Sequence, residues 1–184
     1  MSNERVSGIG PRNTSETLWK TTATGGWNGD HSFTIDISEK YLFFVWLYKE
    51  SLIGTLSISL DIGYQGTLIN NATGVSDSTP MFIDSLSWRS GGSLYGYEEQ
   101  WLFCCGYIFP STTANTVTTN SGIYTSKGVK IYSGVDFRWN TDPTPWEGEV
   151  VKQTCSENNV IYFARPSFYL CDDYEPNIKR MIGL

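Results

Sequence analysis

The single histidine of the chain, His31, stands beside Asp30. A Ser/His/Asp arrangement needs an imidazole to carry the nucleophile's proton, so any such triad would have to use this residue. Its place just before the Phe33, Ile35, Ile37 alternation reads instead as a surface histidine near a turn. Glycoside hydrolysis needs two carboxylates about 5–10 Å apart in a cleft. Glu98, Glu99, Asp136, Asp142, Glu147, Asp172, Asp173 and Glu175 carry the right chemistry, but no spacing selects a pair, and they read as solvated loop charges. No Gly-rich phosphate loop, HExxH or CxxC pair occurs, so nucleotide and zinc chemistry have no motif. No catalytic residue is assigned, and a non-enzyme without a resident cofactor is expected. Calcium is the one ion kept open, because Asp172, Asp173 and Glu175, with Asn177, gather hard oxygen ligands. Their spacing is not that of an EF-hand.

Binding chemistry is better represented. Trp27, Trp88, Tyr95, Tyr97, Trp139 and Trp146 lie near Gly, Ser, Asn or Pro, where a ring held on a rigid loop stacks on a sugar or a protein partner. β-Sandwiches also bury Trp, so only part of this set is expected at the surface, Trp146 and Tyr97 first. Arg165 precedes Pro166, which favours an extended backbone there. Its guanidinium is expected to pair with Asp36 or Asp172 in a structural role. The adjacent Cys104 and Cys105 leave opposite faces of a strand and read as buried free thiols. A Cys155–Cys171 bridge is left open, since sequence does not fix pairing.

The elements that must position these groups follow from composition. A chain of 184 residues fits one domain able to bury its own core. Aromatic residues make up 15% of it, with 7 Trp and 11 Tyr, and Ala-, Glu- and Lys-rich helical windows are nearly lacking, which favours an all-β fold. A net charge of −6 without a Lys/Arg cluster argues against a phosphate backbone, so nucleic acid is not an expected partner. The opening MSNERVSGIGPRNTSE has no apolar core of a secretory signal, and synthesis in a cytoplasm is expected.

Tyr41 to Tyr48, YLFFVWLY, is apolar on both alternating faces and reads as a strand covered on both sides. The run is far shorter than the roughly 20 apolar residues of a membrane span, and no membrane insertion is expected. Gln100 to Phe109 has the same character and predicts a second central strand. Residues 1–18 are polar and read as an N-terminal arm, followed by one domain over 19–184. Leu56, Ile58, Leu60 and Ile62 alternate with polar residues and predict a hairpin with the Tyr41–Tyr48 strand. Further strands are expected at Phe33–Ile37, Met81–Trp88, Val129–Phe137 and Val160–Ala164, with an extended piece at Ser167–Leu170. Ser90–Glu99 and Ser111–Ser121 read as loops, the second with a polar edge strand as its alternative. Many short strands with turn-rich connections give an antiparallel β-sandwich or jelly roll.

The order of the pieces carries a resemblance. Gly25-Gly26-Trp27, the Thr34–Leu47 stretch, the Trp101–Pro110 strand and the closing Tyr162-Phe163-Ala164-Arg165-Pro166 through Pro176 follow one another over roughly Ser15 to Leu184. In that order they resemble jelly-roll domains, similar to carbohydrate-binding modules, at the ends of tail-fibre and related virion proteins of tailed bacteriophages. The resemblance implies a non-enzymatic virion protein assembled in the host cytoplasm, trimeric, docked to other virion proteins through its arm. It implies a receptor-binding role in which loop aromatics contact a host-surface glycan. A capsid decoration protein, of cement or head-fibre type, is the alternative, and a carbohydrate-active enzyme the weaker one.

Overall fold

The structure is a computed structural model that describes residues 3–21, 25–27, 32–33, 35–50, 56–61, 68–78, 80–87, 91–141, 146–147, 151–155, 160–171 and 178–183. The described backbone runs mostly as strand, and the strands are numbered in chain order. β1 (Asn3–Ile9) and β2 (Ser15–Thr21) open the chain, followed by the short β3 (Gly25–Trp27) and β4 (Ser32–Phe33). Next come β5 (Lys40–Lys49), β6 (Leu56–Asp61), β7 (Leu68–Asn70), β8 (Ser76–Asp77) and β9 (Met81–Ser87). β10 (Trp101–Phe109), β11 (Gly122–Thr125), β12 (Lys130–Ser133) and β13 (Phe137–Trp139) make up the middle. β14 (Trp146–Glu147), β15 (Val151–Cys155), β16 (Ile161–Cys171) and a short helix, α1 (Ile178–Ile182), close it. For β3, β4, β6, β14 and β15 only the backbone pairing is described. The chain is all-β.

One ten-stranded sheet runs β1-β2-β16-β5-β10-β13-β7-β8, with β11 on β10 and β12 on β11. It is mixed, because β13 lies parallel to β10 at Ile108 and Phe109 while β11 pairs antiparallel along Leu102–Cys105. A four-stranded sheet runs β3-β15-β6-β9, and β14 pairs with β4. β5 and β10 lie side by side at the centre of the large sheet, with Trp46 opposite Phe103.

Both faces of this central pair are buried, as their unbroken apolar runs require. Tyr41, Phe43, Val45, Leu47, Cys104 and Ile108 point into one cluster, where Phe82 and Ile83 of β9 pack against them. Leu42, Phe44, Trp46, Phe103 and Cys105 point the other way, toward Leu18 of β2 and Ile182 of α1. Burying one such side chain, Phe43 for example, contributes about 1.5–3 kcal/mol. The two layers give the sandwich character expected from the pattern.

Several expectations are corrected. β6 does not form a hairpin with β5; it pairs with β15 and β9 in the smaller sheet, while β5 takes β10 and β16 as neighbours. The polar segment read as an arm is a hairpin instead, β1 against β2 in full register from Asn3–Thr21 to Ile9–Ser15, and the boundary drawn at residue 18 falls inside β2. The strand expected over Val129–Phe137 is cut into β12 and β13. At the cut, Gly134 N–H donates to Ser121 O at 2.9 Å and Val135 N–H to Phe82 O at 2.9 Å, which draws the backbone off the ladder. Ile35 and Ile37 are half-buried against the core as the alternation implied, but outside any strand.

Candidate binding cleft

Ladder registers align five side chains in a row across the large sheet. Glu4 of β1 lies opposite Lys20 of β2, Lys20 opposite Tyr162 of β16, Tyr162 opposite Tyr48 of β5, and Tyr48 opposite Trp101 of β10. Paired residues on neighbouring strands share a face, so the row lies on the same side as Leu18, Trp46 and Phe103. Here the core ends and a cleft of about 420 Å³ begins, with Tyr48, Trp101, Tyr162, Glu50 and Lys20 on its floor and Val6 to Ile9 over it. A second hollow of about 380 Å³ shares Ile9, Tyr48 and Trp101 and extends toward Pro11 and Gln100.

The roof is held by specific bonds. Trp101 donates its indole N–H to the Ile9 carbonyl at 3.3 Å, tying β10 to the end of β1. β2 pairs with β16 only from Ile161 to Phe163, because a bulge between Ala164 and Ser167 bends β16 away. A bulge increases local twist and re-aims the chain, which lets the hairpin arch over the sheet face. Arg165 sits in that bulge with φ 51°, and its Nε and Nη2 donate to Glu16 Oε2 and Oε1 at 2.7 and 3.2 Å. Among the described residues the guanidinium thus pairs with Glu16 and not with Asp36, Asp172 lying outside them, and the extended backbone expected before Pro166 is replaced by a left-handed one. Gly10 closes the hairpin turn, and a Cβ there would collide with the Glu16 carboxylate.

The floor is aromatic and negatively polarised. Tyr48 and Trp101 have ring centroids 5.3 Å apart at 46°, and Tyr48 and Tyr162 lie 6.1 Å apart at 62°. Tyr162 donates its hydroxyl to Glu50 Oε1 at 3.4 Å. Burial, then the charges of Glu99 and Glu50, raises the Tyr48 phenol above its ordinary value. Burial and the Glu50 carboxylate do the same for Tyr162. All three rings are half-buried, leaving π surface open to a ligand. Such faces stack on the C–H surface of a sugar, while the adjoining carboxylate and amine can hydrogen-bond its hydroxyls.

Those residues singled out from sequence whose side chains are described lie elsewhere. Trp139 is 1% exposed in β13, donates its indole N–H to Glu39 O at 3.2 Å and meets Tyr41 edge to face, so it belongs to the core. Tyr97 is half-buried against that core rather than projecting, and Tyr95 is exposed. Neither lines the cleft. Trp27 and Trp146 fall in β3 and β14, with side chains outside the described set, and Trp88 lies outside the described residues. So do His31, Asp30, Asp142, Asp172, Asp173 and Glu175, and the Glu147 side chain. Among the described residues no group of three or more His, Cys, Asp and Glu could hold a metal ion.

Two of the presumed loop charges are not solvated. Asp136 is 2% exposed and accepts from Asn120 N–H at 3.0 Å, Asn120 Nδ2 at 3.2 Å and Ser121 N–H at 2.7 Å, fastening the Thr-rich loop to the sheet. Glu98 is also buried and accepts from Gly96 N–H at 2.9 Å. Cys104, Cys105 and Cys171 are buried thiols. Burial holds Cys104 well above the ordinary thiol range and pushes Cys105 up to about 12, leaving both poor nucleophiles.

Tyr48 and Trp101 stand at the ends of apolar runs and Tyr162 within one, Val160–Ala164, so all three read as core and were not singled out. The signal lay beside them, in Lys49-Glu50 and Gln100, where a buried run meets charge. Comparison with protein-family models, with curated proteins and with solved structures finds no match to the chain. Among the described residues no helix is long and apolar enough to cross a membrane.

Proposed function

We propose that the protein is a non-enzymatic virion protein of the tail-fibre, receptor-binding type, a jelly-roll-like domain that holds a host-surface glycan in the cleft under its N-terminal hairpin. The observation that carries the reading is the row of Tyr48, Trp101 and Tyr162, half-buried on rigid strands beside Glu50 and Lys20. Rigid aromatic faces with a few polar groups at their edge are the usual means of holding a sugar ring. The ordered motifs of the chain support the virion setting, and trimeric assembly with docking to other virion proteins through the N-terminal segment belongs to the same reading.

Titration of the protein with host-surface polysaccharides, followed by tryptophan fluorescence, tests it. Saturable quenching that Trp101→Ala removes without loss of the circular dichroism spectrum is the expected result. No response to any surface polysaccharide would defeat the glycan role, and labelling of intact particles away from the tail would defeat the tail-fibre placement.

A capsid decoration role is the second reading, favoured by one observation. Among the described strands β1 ends the sheet order, so its outer edge is the place for a strand of another virion protein to add.

A further inference from the structure

We infer that the cleft takes a ligand bearing an ammonium group, caged by the rings of Tyr48, Trp101 and Tyr162 with Glu50 as counter-charge. The inference rests on the glycan-binding reading above and names the chemistry that reading leaves open. A free amino sugar and a choline-type substituent both present this group.

Ring geometry is the first argument. The planes of Tyr48 and Trp101 meet at 46° and those of Tyr48 and Tyr162 at 62°, so the three rings do not form one flat platform. A flat platform suits the broad face of a neutral sugar. All three rings line the same cleft, and inclined rings around one cleft offer a cation more than one π face through their quadrupoles, as in the recognition of quaternary ammonium.

Charge is the second argument. Glu50 lines the cleft and shares only Oε1 with the Tyr162 hydroxyl. Glu99 adds a second negative charge near Tyr48, with its backbone N–H donated to Lys49 O at 2.9 Å. The lining cation, Lys20, lies directly opposite Glu4 across the β1–β2 ladder. Arg5 stands over the Trp19 ring, 4.5 Å from its centroid, and β-strand alternation puts it on the other face from Glu4. The lining itself carries one carboxylate, Glu50, and one amine, Lys20, while the charges of Glu99 and Glu4 act on Tyr48 and Tyr162 from beside it and make the surroundings of the rings negative. Val6 and Leu18 supply apolar cover, with the exposed Ile9 at the rim, and apolar surroundings strengthen a cation–π contact.

The test uses the full chain at mildly acidic pH, with tryptophan fluorescence and calorimetry as readouts. The probes are tetramethylammonium chloride, phosphocholine, a glucosamine tetramer and its N-acetylated counterpart. An ammonium probe is expected to bind, and the glucosamine tetramer to bind about tenfold tighter than the N-acetylated one if the source is an amino sugar. Phosphocholine binding without glucosamine binding would support the inference with choline as the source. Trp101→Ala should remove either response. Glu50→Gln should reduce ammonium binding at least fivefold with an unchanged circular dichroism spectrum, whereas Glu39→Gln, an exposed carboxylate elsewhere, should not, which separates the cleft from the general attraction of a −6 protein. Equal binding of free-amine and N-acetylated tetramers without binding of the small ammonium probes would overturn the inference and leave the glycan reading standing. Silence with all four probes overturns the inference as well, and the polysaccharide titration then decides the glycan reading separately. A Glu50→Gln protein that binds as the parent does would also overturn it.

Discussion

Arg165 reaches Glu16 through two guanidinium nitrogens, 2.7 and 3.2 Å away, from a backbone in the left-handed region at φ 51°. A left-handed non-glycine residue carries strain of roughly 1–2 kcal/mol, and a two-point guanidinium–carboxylate pair is among the stronger hydrogen-bonded contacts. The pair thus offsets the conformation that lets β16 bend and the hairpin arch.

Replacing Arg165 by Ala keeps the strain and removes the pair. Because the two side chains are 32% and 16% exposed, a loss of about 1 kcal/mol is expected, at the upper end for exposed ion pairs. Arg165→Gly removes both and should be more stable than Arg165→Ala by roughly 1 kcal/mol. Urea denaturation of the two variants checks the order, and an Arg165→Ala protein as stable as the parent would show that the pair does not hold the bulge.

Gly106 lies on β10 beneath the Phe82 ring, where a Cβ would come within 2.5 Å of Cγ. Phe82 is itself fixed edge to face on Phe137 at 5.0 Å and cannot move aside freely. Gly106→Ala is therefore expected to destabilise by about 1–3 kcal/mol through overpacking. Adding Phe82→Leu should recover part of that loss, which a double-mutant cycle would measure.

Trp139 and Tyr95, grouped together from sequence as loop aromatics, differ in burial, the first being core and the second exposed. Trp139→Ala should lower stability by about 3–5 kcal/mol, since it empties a core position and orphans the Glu39 carbonyl. Tyr95→Ala, at an exposed site, should change stability by no more than about 0.5 kcal/mol. Thermal melts of the two variants provide the comparison.

Stability should fall in alkali through Tyr124 and Cys105. Burial, then the charges of Cys105 and Asp136, lifts the Tyr124 phenol from 10.0 to about 12. Burial lifts the Cys105 thiol from 9.0 to about 12. Both groups stay neutral longer when folded than when unfolded, so stability is unaffected below the unfolded values and is lost as pH rises from there toward about 12. Tyr124→Phe should make the decline between these limits shallower, read as the slope of denaturation midpoint against pH. An unchanged slope would exclude Tyr124 as a contributor.

Much of this fold is legible in the chain because burial on both faces leaves a plain trace. Tyr41–Tyr48 and Trp101–Phe109 have no polar alternation, and they are the central pair. Which strands become neighbours is less legible, since a period of two reports the buried face and not the partner. Leu56–Ile62 alternates well enough to suggest a hairpin with β5, yet Ser51–Thr55 lacks the two-residue turn signal that would enforce one. The β1–β2 hairpin was hidden by its edge position, where one strand side and much of one face meet solvent and Val6, Leu18 and Trp19 suffice as anchors. Trp139 carried a usable signal, for it follows Phe137 at the strand spacing of two. The cleft was illegible for a different reason. Tyr48, Trp101 and Tyr162 are far apart in sequence and meet only through two ladder registers.

Cys104 and Cys105 face different layers of the core from adjacent positions on the central strand. Each thiol is sealed from reagent until its own layer parts, so one residue of sequence separates two independent clocks. Equal labelling rates would describe a sandwich that opens as a unit; unequal rates would name the half that breathes first.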